Sequence, residues 1–160
     1  MYLKSFFLFF IFTGLSLNIF SQDKKVIWNG TGEATQTATL ITTNTKGISK
    51  SIIEYTFKNV RYGSIVDRGS FYILTQTELN QFISDIEGAL EKSEETGGYE
   101  WSRSNYTIKP GGNNSQKKGT FKIWVGEKHC PFKKKDALKL IKELKSVISS
   151  LNEPESDVKN

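Results

Sequence analysis

The sequence predicts an α+β fold: one antiparallel sheet of about five to six strands, with two amphipathic helices packed on one face. Three observations carry that prediction. Apolar residues recur every second position between Val26 and Leu74. They recur at helical spacing in two later stretches, and turn-forming residues separate the segments. The order is a β-rich N-terminal half, a helix, a β-hairpin and a C-terminal helix.

The first element is a leader. Lys4 precedes an apolar run from Phe6 to Phe20, followed by Ser21, Gln22 and the charges Asp23, Lys24 and Lys25. A basic start, a short apolar core and a small-residue exit form a secretory signal peptide. The run is 15 residues long, short of the roughly 20 that a spanning helix needs. Residues 1–21 are therefore expected to be removed, leaving an exported domain over 22–152 and a polar tail over 153–160. No cysteine lies near the exit, which argues against a lipid anchor.

The strands come next. In "ATQTATLITT" Ala34, Gln36, Ala38 and Leu40 share one face, and in "KSIIEYTFKNV" Ile53, Tyr55 and Phe57 do. "NTKG" at 44–47 suits a hairpin turn between them. "DRG" at 67–69 separates a short strand around 64–66 from "SFYIL" at 70–74.

The period then lengthens. Leu79, Phe82, Ile83, Ile86 and Leu90 form a helical stripe, opened by the Thr75/Glu78 capping-box pair and stopped by Gly97–Gly98. "YEWSRSNYTIKPGGNNSQKKGTFKIWVG" reads as two strands around a polar tip, Gly111 to Gly119. The last helix carries Ala137, Leu140, Ile141, Leu144, Val147, Ile148 and Leu151 on one face, with Leu138 at its edge.

Candidate chemistry is sparse. His129 and Cys130 are the only histidine and the only cysteine. Neighbours on an extended chain point to opposite faces, so they are poorly placed as a nucleophile–base pair. A zinc site would need about four ligands, chiefly Cys and His. They are read as a strand-end pair, Cys130 buried and His129 exposed. The remaining role for Cys130 is a disulfide to a second chain. "GxSxG", "HExxH" and "GxxxxGK" are absent. The sequence thus names no catalytic residue, metal or cofactor, and the chain is read as non-enzymatic. A carboxylate hydrolase drawing on Glu54, Asp67, Glu78 or Asp85 is the enzymatic alternative. Capping explains Glu78, and Asp85 is placed on the polar helix face.

Two patches suit binding. Tyr99, Trp101, Arg103 and Asn105 share one face if "YEWSRSNY" is a regular strand, with Trp124 on the facing strand. Aromatics interleaved with arginine suit a glycan or a protein ligand; the competing reading makes the rings core. Lys135, Lys139 and Lys142 form a basic stripe on the last helix, suited to anionic lipid or polysaccharide and hence to peripheral membrane contact. Lys4 is the one basic residue in the leader, so 21 Lys and Arg face 17 Asp and Glu in the mature domain, a charge of +4. That is too weak to point to nucleic acid.

Overall fold

The computed structural model describes residues 20–30, 35–59, 67–93, 99–110 and 120–152. Residues 1–19 of the leader, the strand expected at 64–66, the Gly97–Gly98 stop, the hairpin tip and the tail lie outside these residues, whereas Phe20 and Ser21, the last two leader residues, begin the first strand.

The fold is α+β, but the strands form two sheets instead of one. β1 (Phe20–Gly30), β2 (Gln36–Thr45), β3 (Ile48–Lys58) and β4 (Arg68–Ile73) pair in chain order as an antiparallel meander. Helix α1 (Gln76–Lys92) follows. β5 (Trp101–Ser102), β6 (Thr107–Pro110), β7 (Thr120–Val125) and β8 (Lys128–Lys133) make a second meander, followed by α2 (Lys134–Ser146). The expectation of a single five- to six-stranded sheet fails for a physical reason. Alternation fixes which face a residue occupies, not which strand its backbone pairs with. The ladder ends at β4, where side chains from the second half of the chain cap two of the strand's outer carbonyls. Lys128 Nζ donates to Arg68 O at 2.9 Å, and Asn105 Nδ2 donates to Tyr72 O at 2.9 Å.

Local signals account for the elements. The β2–β3 turn runs through Lys46 and Gly47, with φ of 51° and 80°. Two positive φ values are what a two-residue type I′ hairpin turn requires. The slip between Val26 and Trp28 in the β1–β2 register turns the Trp28 ring inward, where it stacks on Phe132 at 5.8 Å. Helix α1 opens on the expected cap: Glu78 N–H donates to Thr75 Oγ1 at 3.2 Å, and Glu78 Oε2 accepts from Leu74 N–H at 2.7 Å. It ends at Ser93, whose hydroxyl donates to Leu90 O at 2.7 Å. Helix α2 opens on Lys133 with no side-chain cap.

The two strand–helix halves interlock. Helix α1, which follows the first sheet, lies against β6 and β7 of the second. Helix α2, which follows the second sheet, lies against β1 of the first as well as β8. The expected arrangement, both helices roofing one sheet, is therefore replaced by helices that cross between sheets. Inner faces of both sheets and both helical stripes meet in one core. At its centre Tyr55 lies 5.2 Å from Phe71, 6.0 Å from Phe82 and 6.3 Å from Phe132, so one ring touches both sheets and a helix. Such ring pairs contribute about 0.5–1.5 kcal/mol each beyond the area they bury.

Polar bridges fix how the sheets meet. Tyr55 OH donates to Gln36 Oε1 at 2.6 Å, and Gln36 Nε2 donates to Pro131 O at 3.0 Å. At the far end Asn59 Nδ2 donates to Asp67 Oδ2 at 3.0 Å, while the Lys128 ammonium pairs with Asp67 Oδ1 at 2.5 Å.

Candidate binding site

The centre of the site is Asp85, one of the carboxylates of α1. Its placement on the polar helix face is overturned: the residue is 1% exposed. A buried carboxylate needs charge neutralisation and hydrogen-bond donors, and four donated bonds reach it. Arg103 Nε donates to Oδ2 at 2.8 Å and Nη2 to Oδ1 at 2.7 Å, a two-pronged ion pair. Tyr106 OH donates to Oδ2 at 2.9 Å and Gln81 Nε2 to Oδ1 at 2.9 Å. Burial alone would push the Asp85 carboxyl up. The bonds from Arg103, Gln81 and Tyr106 outweigh it and hold the carboxyl below its ordinary range. The same contact holds the Arg103 guanidinium above its usual value. Burial, then the Asp85 charge, raises the Tyr106 phenol.

Arg103 and Tyr106 bracket the turn between β5 and β6, and Arg103 N–H donates to Tyr106 O at 2.8 Å. Both ends of the turn are thus pinned to one carboxylate. Asn105, inside the turn, reaches the other sheet through its bond to Tyr72 O. The expected long strand from Tyr99 to Asn105 is only Trp101–Ser102. Regular alternation breaks at Arg103, which is why its side chain turns to α1.

Clefts lie on both sides of the pinned turn. The larger, about 470 Å³, has Ser70 and Tyr72 of β4 on one wall, Arg103 and Asn105 on the turn, and Trp124 and Gly126 opposite. The smaller, about 240 Å³, lies between the turn and the first turns of α1, lined by Thr77, Glu78 and Gln81.

Arg103 and Trp124, two of the four sequence-named residues, therefore line one cleft. Trp101 lines neither; it is half-buried against α1, so close to Gly88 that a β-carbon there would sit 2.9 Å from Trp101 Cζ2. Tyr99 is exposed beside the Lys92 ammonium, 5.2 Å from its ring centroid. Trp124 is half-buried and stacks on His129, ring centroids 4.2 Å apart, with Lys109 Nζ 5.8 Å from its centroid. His129 is thus half-buried under a ring, where exposure was expected. Cys130 is fully buried, and burial pushes its thiol well up. Lys135, Lys139 and Lys142 are exposed on α2.

Sequence reasoning missed Tyr72, Tyr106 and the role of Asp85. The available signal was an acid at the margin of an apolar helical stripe, together with the Arg and Tyr three residues apart in "RSNY". The four candidate acids each have a structural partner. Glu54 accepts from Tyr72 OH, Asp67 pairs with Lys128, Glu78 caps α1, and Asp85 is clamped by Arg103. Among the described residues no cluster of His, Cys, Asp and Glu is arranged to hold a metal ion, and no helix is long and apolar enough to cross a membrane. Comparison with known proteins found no family model, no curated protein and no solved structure that matches this chain.

Proposed function

We propose that the chain is an exported, non-catalytic binding module whose ligand lies in the larger cleft. The observation that supports this reading is the pinned turn: an ion pair to the buried Asp85 holds Arg103 and Asn105 in place against Tyr72 and Trp124 before any ligand arrives. Pre-organisation of this kind reduces the ordering cost of binding. The acids a hydrolase would need are occupied in capping, cross-strand and inter-sheet contacts, which favours binding over catalysis. Export rests on the leader, and N-terminal sequencing of the protein recovered outside the cytoplasm tests it: a mature start near residue 22 is expected.

A second reading has its own observation. On α2, Lys145 pairs with Glu87 at 2.8 Å, whereas Lys135, Lys139 and Lys142 have no acidic partner among the described residues. Leu138, 52% exposed, sits among them. That face suits an anionic lipid or polysaccharide surface. One experiment separates the readings. Soluble glycans and a displayed library of linear peptides are screened on the full chain, and the hits are retested on two variants. The cleft reading expects Tyr72→Ala to abolish binding and the triple Lys135→Gln, Lys139→Gln, Lys142→Gln variant to retain it. The reverse pattern overturns it in favour of the helix face.

A further inference from the structure

The backbone of β4 indicates what kind of ligand the larger cleft takes; this inference rests on the cleft reading above. Among the described residues β4 is the end strand of the first sheet, so one side of it pairs with no described strand. In an antiparallel pair, alternate residues turn their N–H and C=O toward the neighbour and away from it. The carbonyls of Arg68 and Tyr72 accept from Lys128 Nζ and Asn105 Nδ2 of the second sheet, so both point away from β3. Ser70 has the same parity. Its N–H and C=O therefore also face outward, and Ser70 is exposed and lines the larger cleft. Gly69, Phe71 and Ile73 take the inward positions, opposite Phe57, Tyr55 and Ile53.

Among the described residues the edge is thus capped at two outward positions and open at the one between. Exposed edges are normally blunted because they template pairing with other chains. Here the caps fall on either side of Ser70, and the space in front of it is a formed cleft.

We infer that an extended peptide segment of a partner protein binds in this cleft by pairing one residue's N–H and C=O with the C=O and N–H of Ser70. A peptide residue presents a donor and an acceptor on one side of the strand, the complement of what Ser70 offers. Sugar hydroxyls rotate freely and lack that fixed pair. The caps at Arg68 and Tyr72 limit the added strand to about three residues at the ~3.3 Å rise of a strand. Tyr72, Trp124 and the Arg103–Asn105 turn then flank the segment and supply selectivity between side chains.

The probe is a linear dodecapeptide selected from a displayed random library on the full chain. Its affinity is measured for wild type, Ser70→Ala and Ser70→Pro. Proline keeps the carbonyl, removes the outward N–H and is tolerated on an edge strand. Ser70→Ala is expected to bind as wild type does, and Ser70→Pro about tenfold or more weakly. Methylating one backbone nitrogen of the peptide is expected to cost a similar factor on the wild-type protein, which covers the case of a misfolded proline variant. The Ser70 amide is expected to gain protection from hydrogen exchange on binding. If selection yields no peptide, or if the peptides bind equally with and without the Ser70 N–H and their own N–H groups, the inference is overturned. A glycan that binds in the cleft would overturn it and leave the cleft reading standing. Peptides that bind only the lysine face would sink both. Should Ser70→Pro instead abolish self-association in sedimentation, the edge pairs with a second copy of this chain and the partner-peptide proposal is wrong.

Discussion

Removing the Arg103 side chain is predicted to destabilise the fold in a pH-dependent way. In Arg103→Ala, Asp85, which is 1% exposed in the wild type, keeps only Gln81 and Tyr106 as donors. The lost bonds are charge-assisted, and such bonds contribute about 1.5–3 kcal/mol each. Their sum must be discounted, since the Arg103 side chain is 38% exposed and solvent screens it. A loss of about 2–3 kcal/mol at pH 7 follows. At roughly 3–5 °C per kcal/mol for a domain of this size, the melting midpoint falls by about 10 °C. The sign of the pH effect comes from Asp85. In the wild type its folded pKa is depressed, so its stabilisation is present above the unfolded value and is lost as pH falls through the folded one. Without Arg103, burial is opposed only by Gln81 and Tyr106. The carboxyl of the folded variant then takes up its proton at a higher pH, and a neutral acid needs no cation. The deficit is therefore largest at pH 7 and shrinks toward pH 4. Urea unfolding of both proteins at the two pH values measures it. A deficit under 0.5 kcal/mol at pH 7, where surface substitutions ordinarily fall, or one that does not change with pH, would refute the reasoning.

Other expectations follow from single contacts. Gly69 lies under the Phe57 ring, where a β-carbon would collide with it; Gly69→Ala should cost about 1–3 kcal/mol, the range for overpacking a core, and an unchanged urea midpoint would contradict the packing. Lys46 adopts a positive φ that asparagine tolerates better, so Lys46→Asn should raise the melting midpoint by a degree or more, and a fall would argue against the type I′ turn. Cys130 is buried with a raised thiol pKa, so a thiol reagent should label it only as fast as the protein unfolds. Immediate labelling, or a covalent dimer formed by the folded protein in air, would show that the thiol is accessible.

Much of the fold was legible because it depends on local periodicity. Ile53, Tyr55 and Phe57 face the core as their alternation indicates, and Leu79, Phe82, Ile83 and Ile86 do so at helical spacing. The Thr75–Glu78 cap and the Lys46–Gly47 turn are short-range chemistry and formed where expected. The division into two sheets was not legible. It goes with side chains far along the chain, Asn105 and Lys128, reaching back to carbonyls on β4. The same holds for Asp85. In isolation an acid at the edge of a helix reads as solvated, and distant donors, the arginine 18 positions later first among them, make its burial tolerable. Arg103 and Trp124 are recognisable as candidates by residue type, whereas alternation puts Trp101 on the same face only if the strand runs on beyond Ser102, and it does not. The wall contributed by β4, Ser70 and Tyr72, carries no motif at all, since backbone parity at a sheet edge leaves no trace in residue identity.

The cleft beside the pinned turn can be tested with the chain's three tryptophans. Labelled with 5-fluorotryptophan, the protein should give three fluorine resonances, that of Trp124 being assigned by its absence from Trp124→Phe. On addition of a selected dodecapeptide the Trp124 signal is expected to move, while those of Trp28, in the core, and Trp101, against α1, stay in place. A bound peptide that leaves the Trp124 resonance unshifted would place the binding site elsewhere on the molecule.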